Sequence, residues 1–435
     1  MRRLLAAALV VLAAACSREE LAVHLDPNAT PHERYAARLR AAGLDSTALG
    51  RDWLVAADSV LASAMPTTLP LRETAYFAAD EARAVAYRVE LRAGQRLVGE
   101  VSGDGGVPYS LYVDVFRAGV GEQPEHVGGV DSLGRLSLLA RDSGTFVVRV
   151  QPELLRSGRF SLVLQAQASL GFPVQGRGRS AIRSYYGADR DAGRRSHQGV
   201  DIFAPRGTPA VAAVHGVVRS TRPNRLGGNV VWLSDPEGRQ SLYYAHLDTV
   251  LVHDGALVRA GDTLGLVGNT GNARSTPPHL HFGVYRRGQG TVNPFSFVVS
   301  PGGAPATVRA PLDVLGARVR LRASSALLAA PAGDSVRRLP AGTAARVVGA
   351  AGTHYRVVLP DGATGYVVAR TVEAADAPLR SAPLPQGALV LDRPRAPAAV
   401  VDSLVVARAL PVLARFEGFA LVRTERGREG WVAMN

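Results

Sequence analysis

The chain has 435 residues, 47% of them hydrophobic and 20% charged, which excludes a disordered protein and leaves room for several domains. All 50 basic residues are arginine against 37 acidic ones, a net charge of +13 that cannot be titrated away and favours anionic polymers or lipid headgroups, although a genome that writes Arg for Lys gives the same balance. With one cysteine, a disulfide framework is excluded.

Arg2-Arg3 followed by an unbroken apolar run, Leu4 to Ala15, is too short to span a bilayer but has the form of an export signal. Cys16 follows directly after Ala13-Ala14-Ala15. Residues 1–16 therefore resemble a bacterial lipoprotein signal, which implies a lipidated Cys16 and attachment to a membrane. One departure is that Leu12 stands one step further back than the usual leucine, with Ala13 in its place. The protein is expected to be exported to the cell envelope, facing the periplasm or the cell exterior.

Residues 17–68 read as a tether and a helical segment. Thr30-Pro31-His32-Glu33 has an N-cap, a first-turn proline and a capping-box glutamate, and Gly43 is the expected stop. Leu49, Trp53, Ala57, Val60, Leu61 and Ala64 give a second amphipathic helix. Over 69–168 the period falls to two, as in Val85-Tyr87-Val89-Leu91, Leu111-Val113-Val115 and Phe160-Leu162-Leu164. Short alternating strands between Gly/Asp turns predict a β-sandwich. After a third unit at 172–299, Pro301–Pro305 reads as a linker. The rest holds an internal repeat: Gly362, Gly365, Tyr366 and Val367 recur as Gly427, Gly430, Trp431 and Val432. At the same offset, Val347-Val348 and Val357 recur as Val412-Leu413 and Val422. The two copies, 309–375 and 379–435, resemble tandem bacterial SH3-like barrels, which implies binding to cell-wall peptides; a terminal aromatic that merely packs is the alternative.

The chemistry lies in 172–299. Six of the ten histidines fall between 197 and 281. In His197-Gln-Gly-Val-Asp201, Gly199 and the following Ile-Phe-Ala-Pro predict a turn running into a strand, which folds both polar side chains toward one point. In His279-Leu-His281-Phe, a strand places residues i and i+2 on one face, and Pro277-Pro278 keeps its entry extended. Tyr244-Ala-His246-Leu also reads as a strand. Catalytic zinc takes three protein ligands and keeps a position open; His and Asp suit it. Four histidines and one aspartate leave two imidazoles over, and hydrolysis needs groups that move protons and stabilise charge.

These motifs, in this order, resemble the lysostaphin-type (LytM) zinc metallopeptidases. Asp201-Ile-Phe-Ala-Pro-Arg-Gly-Thr-Pro209, Gly261-Asp-Thr-Leu-Gly265, Gly268-Asn-Thr-Gly271 and Arg190-Asp-Ala-Gly-Arg-Arg195 extend the likeness over the whole 172–299 unit. The resemblance implies that His197, Asp201 and His281 bind one Zn2+, that His246 and His279 act in acid/base or transition-state roles, and that the substrate is the peptide part of peptidoglycan, not nucleic acid. It further implies an antiparallel β catalytic domain, so that the chain as a whole is mostly β: a short helical segment, a β-sandwich, the catalytic domain and two small barrels. Gly283 stands where many members carry Glu, so support from that carboxylate must come from elsewhere, and the loop Asn272–Thr276 is long and polar. Arg190, Arg194 and Arg195 are candidates for contact with substrate carboxylates, a solvated loop being the alternative. The alternative is a non-catalytic or autoinhibited envelope regulator that activates a separate wall amidase: the resemblance implies that non-catalytic members have lost their ligands, whereas all five residues are present here, and an intact site held inactive by the N-terminal domains is the form of the alternative that this leaves. Lipoyl or biotinyl carrier domains need a lysine, and the chain has none.

Overall fold

The computed structural model describes residues 26–103, 111–119, 123–190 and 193–434. The export segment and Cys16 lie outside the described residues, as do Asp104-Gly105 and Asp191-Ala192. The chain is mostly β. Among the described residues no helix is long and apolar enough to cross a membrane.

The first helix, Pro31–Ala41, starts on the capping box: Thr30 accepts from the Glu33 N–H, and the Glu33 side chain accepts from the Thr30 N–H. Gly43 follows its end in the left-handed region, φ +69°. The second helix, Ala48–Ala62, buries Trp53, whose indole donates to the Pro152 carbonyl at 2.8 Å. The first helix anchors on the same strand, Gly144–Pro152, with His32 Nε2 2.8 Å from Gln151 Oε1.

That strand belongs to a five-stranded sheet ordered 65–66, 85–91, 144–152, 111–117, 125–129. A second sheet contains 71–77, 158–168, 95–103 and 135–140. Residues of both share one hydrophobic cluster, from Tyr87, Val89 and Val148 to Leu97, Phe160 and Leu162.

The second sheet does not end at its edge. Strand Leu71–Phe77 pairs with Ala344–Ala351 of the first repeat, Thr74 opposite Ala350 and Ala75 opposite Gly349. An edge strand left open would expose a row of unpaired backbone groups; here the repeat covers it. Glu73 seals the seam. Its side chain is fully buried, bonded to Arg356 Nε at 2.6 Å and to the Tyr366 hydroxyl at 2.8 Å.

The repeat seen in the sequence is a repeat of register. In the first copy Val347 pairs Val357 and Val357 pairs Gly365; in the second, the equivalent Val412 pairs Val422 and Val422 pairs Gly430. Each terminal aromatic turns toward the unit before it. Tyr366 joins the cluster of the two-sheet unit, and Trp431 joins Val319, Val347 and Val357 of the first repeat.

The 172–299 unit is a separate antiparallel sheet ordered 182–184, 200–203, 279–286, 240–250, 229–235, 216–220, 257–258, with further pairing by 209–211, 263–267 and 290–292. It is seated on the two-sheet unit through Phe297. Leu170 N donates to the Phe297 carbonyl at 2.9 Å, Ser296 Oγ to the Ala93 carbonyl at 2.5 Å, and Arg286 pairs with Asp142 at 3.0 Å. Gly94, at φ +81°, lies flush on the Phe297 ring; a Cβ there would fall 2.2 Å from Cγ. Gly94→Ala is therefore expected to lower stability by about 1–3 kcal/mol from overpacking, with backbone strain added, read as a fall in the denaturant midpoint of the full chain. An unchanged midpoint would mean that the two units are not locked at this contact.

Candidate metal centre

Strand Val200–Phe203 runs antiparallel to His279–Arg286 with Asp201 directly opposite His281 and Phe203 opposite His279. The cross-strand register thus brings together side chains far apart in the chain. His197 enters from the turn before Val200, and that turn is not helical. Its close approach needs Gly199: a Cβ at this position would lie 2.7 Å from His281 Cε1 and 2.5 Å from the Phe282 carbonyl oxygen.

Three donor atoms meet at one point. His197 Nε2, Asp201 Oδ1 and His281 Nδ1 stand 3.0 Å from one another on all three edges, and these three residues form the one metal-competent cluster among the described residues. Tetrahedral zinc, with bonds of about 2.0–2.1 Å, spaces its ligands by roughly 3.3–3.4 Å, so a small outward relaxation suffices. The donor chemistry fits as well. His197 Nδ1 lies 2.8 Å from the Tyr185 carbonyl, which can only accept, so Nδ1 carries the proton. In the neutral ring Nε2 then aims a lone pair at a carboxylate oxygen and at a second imidazole nitrogen, an arrangement that needs a cation at its centre.

The two remaining histidines flank this triangle. His279 Nε2 is 4.0 Å from Asp201 Oδ1, and the His246 ring centroid lies 5.1 Å from that of His279 and 5.8 Å from that of His281. His246 is on strand Gln240–Val250, but the ladder slips there: Val231 pairs Tyr244 and Asn229 pairs Leu247, so the register shifts between them. His246 takes φ +64° and its N–H donates to the Gly227 carbonyl at 2.7 Å. Such a bulge re-aims one side chain out of the alternation, and a non-glycine residue in this region is uncommon. Both flanking rings are oriented from behind by main-chain acceptors, His246 Nδ1 by the Thr270 carbonyl and His279 Nδ1 by the Pro277 carbonyl, each at 2.9 Å. In each neutral ring the proton stays on Nδ1, and Nε2 is left as the acceptor.

Burial pushes the Asp201 carboxyl up, but the imidazoles of His197 and His281 beside it outweigh burial and hold it well below the usual carboxylate range. Burial also lowers His281. His246 is pushed down to about 4, first by burial and then by the like charge of His281 and His279. In the unfolded chain the same ring titrates near ~6.5. The metal-free fold therefore resists a proton that the unfolded chain accepts, and stability present above about pH 6.5 is lost as pH falls toward 4. The melting temperature of chelator-treated protein is expected to drop across that window, and His246→Gln is expected to flatten the drop. An equal slope in that variant would place the loss elsewhere.

Support at Gly283 does come from elsewhere: the carbonyls of Tyr185, Pro277 and Thr270 hold the imidazoles. Arg190, read as a candidate for substrate carboxylates, is committed instead to Asp201 Oδ2 at 2.8 Å. Arg194 and Arg195 are exposed. Ser184, 3.2 Å from His197 Nδ1, carried no signal in the sequence. Tyr244 is buried, its hydroxyl accepting from Ala213 N, whereas Tyr243 packs with Trp232 and Tyr285 beside His281.

The fold and the cluster define a β unit with a His-Asp-His metal-competent centre and two flanking imidazoles. Residues 195–294, which contain all five side chains, match Peptidase family M23. An L-Ala--D-Glu endopeptidase of Bacillus subtilis (strain 168) is 37% identical over 123 residues, 26% of this chain and 37% of the relative. A DD-carboxypeptidase/endopeptidase Mpg of Neisseria meningitidis serogroup B is 44% identical over 104 residues, 23% of each chain. The chain thus spans less than two fifths of the length of these curated relatives. Among solved structures, the catalytic domain of the antimicrobial peptidase lysostaphin from Staphylococcus simulans is 32% identical over 26% of this chain and 87% of that chain, with a TM-score of 0.24.

Proposed function

We propose that this protein is an exported, zinc-dependent endopeptidase that hydrolyses peptide bonds in bacterial peptidoglycan. The observation that carries the reading is the 3.0 Å triangle of His197 Nε2, Asp201 Oδ1 and His281 Nδ1, with two further imidazoles beside it. The likeness of this segment to an L-Ala--D-Glu endopeptidase and a DD-carboxypeptidase/endopeptidase supports the substrate class.

His197, Asp201 and His281 would hold the zinc, which when bound supplies a Lewis acid able to acidify water near neutral pH. His246 and His279 act on protons. Each is fixed by a carbonyl on Nδ1 and presents Nε2 as an acceptor, so each takes up one proton and then holds it ready to donate to the leaving amine. Once protonated, either ring also offsets negative charge developing on the carbonyl oxygen. Main-chain anchoring matters here because a ring free to rotate would have to be ordered in every turnover.

In the same reading the remaining units serve delivery. Cys16 is a lipid anchor, 69–168 a β-sandwich, and 309–375 and 379–435 SH3-like modules that bring the catalytic unit to the wall. Tyr366 and Trp431 are nearly inaccessible, at 2% and 6% exposure, so any wall contact by these modules uses other side chains. Incubation of the full chain with purified peptidoglycan, followed by mass spectrometry of released fragments, tests the function. New amino termini that depend on zinc support it; intact stem peptides and cross-links overturn it.

A further inference from the structure

Asp201 has two oxygens, and the fold sends them to different partners. Oδ1 faces His197 and His281. Oδ2 accepts from Arg190 Nη2 at 2.8 Å. The same nitrogen donates to Ser184 Oγ at 2.5 Å, and that hydroxyl stands 3.2 Å from His197 Nδ1. One guanidinium nitrogen therefore contacts one residue of the metal centre, Asp201, directly and a second, His197, through the Ser184 hydroxyl. Local structure holds each part in place. Arg190 belongs to the hairpin Asp189–Arg190 and Arg195–Ser196, which leads directly into His197. Ser184 is the ladder partner of Asp201. Apart from imidazoles, Arg190 is the one cation paired with Asp201 among the described residues.

We infer that Arg190 is a positioning residue that makes Asp201 a one-oxygen ligand and tunes the centre's affinity for its metal. The inference rests on the reading of His197, Asp201 and His281 as metal ligands. A carboxylate beside a dication can bind through one oxygen or both, and a catalytic centre must keep a coordination position open. A charge-assisted bond to Oδ2 opposes rotation of the carboxylate into the two-oxygen mode. Groups behind metal ligands of this kind set ligand orientation and basicity. Arg190 is a third exposed and lies on a short hairpin, so its removal takes little from the core.

The test compares wild type, Arg190→Gln and Arg190→Lys in the full chain. Zinc affinity is measured by competition with a chromogenic chelator, the visible absorption of the cobalt(II)-loaded proteins is recorded, and melting temperatures are taken without metal. Arg190→Gln is expected to weaken zinc binding by about 10–100-fold and to replace the strong absorption of four-coordinate cobalt by the weak bands of higher coordination. Arg190→Lys keeps the charge, and because a single nitrogen makes both contacts, an ammonium can replace it; wild-type absorption and most of the affinity should return. Zinc affinity within twofold of wild type and an unaltered cobalt spectrum in Arg190→Gln would overturn the inference. So would equal losses in Gln and Lys together with equal falls in metal-free melting temperature, which would mark a packing role. A wild type that takes up neither metal overturns the metal-site reading itself, and this inference with it.

Discussion

Replacing His279 by alanine is expected to leave zinc content near one per chain while slowing peptidoglycan hydrolysis by about 10²–10⁴-fold, the range lost with a general acid or base. Replacing His281 or Asp201 by alanine is expected to remove metal and activity together. The two outcomes separate because the residues stand differently toward the centre. Asp201 Oδ1 and His281 Nδ1 are two corners of the 3.0 Å triangle, and losing either leaves two donors where zinc needs at least three. His279 Nε2 stands 4.0 Å from Asp201 Oδ1, flanking the triangle beside His246. Metal content by atomic emission and fragment release from purified walls, measured on the same preparations, read both effects. His215→Ala, at a histidine outside the cluster, is expected to match wild type in both. Full hydrolysis by His279→Ala would remove that residue from the chemistry. Zinc retained by Asp201→Ala at wild-type affinity would move the metal elsewhere.

Much of this centre was legible in the sequence because its geometry is local or follows a fixed period. His279 and His281 share a face because strands alternate every second residue. His197 and Asp201 converge because Gly199 turns the chain between them. The capping box at Thr30 and Glu33 is likewise a local device and lies where the sequence places it. The re-aiming of His246 was not legible: the strand reading is right, but the slipped register and φ +64° depend on a carbonyl of Gly227, in a loop that precedes the neighbouring strand. Nor was the commitment of Arg190 to Asp201, since an arginine in a loop has the same pattern whether it faces solvent, substrate or a ligand. Contacts between units were the least legible. Thr74 opposite Ala350 is a backbone pairing between opposite ends of the chain, and no periodicity encodes which edge meets which.

Glu73→Ala is expected to lower the stability of the full chain by about 3–5 kcal/mol, the cost of breaking a buried ion pair from one side. Glu73 is fully buried and Arg356 nearly so. Without the carboxylate, a guanidinium and the Tyr366 hydroxyl remain in the seam with their common partner gone. Arg356→Met is expected to cost a similar amount, because it strands the carboxylate instead. Urea unfolding of each variant reads the loss, and a change below about 1 kcal/mol, the scale of an exposed pair, would show that water reaches the seam. The paired change Glu73→Leu with Arg356→Met is expected to recover most of the stability, since two apolar side chains avoid the desolvation that the ions must offset. What it should not recover is the choice of partner. The Leu71–Phe77 edge is held to Ala344–Ala351 by only two registered residue pairs, and an apolar seam would accept a slipped register as readily as the native one. Amide exchange at Thr74 and Ala350 in the double variant therefore distinguishes the two roles. Faster exchange at unchanged global stability means that the buried pair specifies where the first repeat docks, and slow exchange means that the strands alone are sufficient.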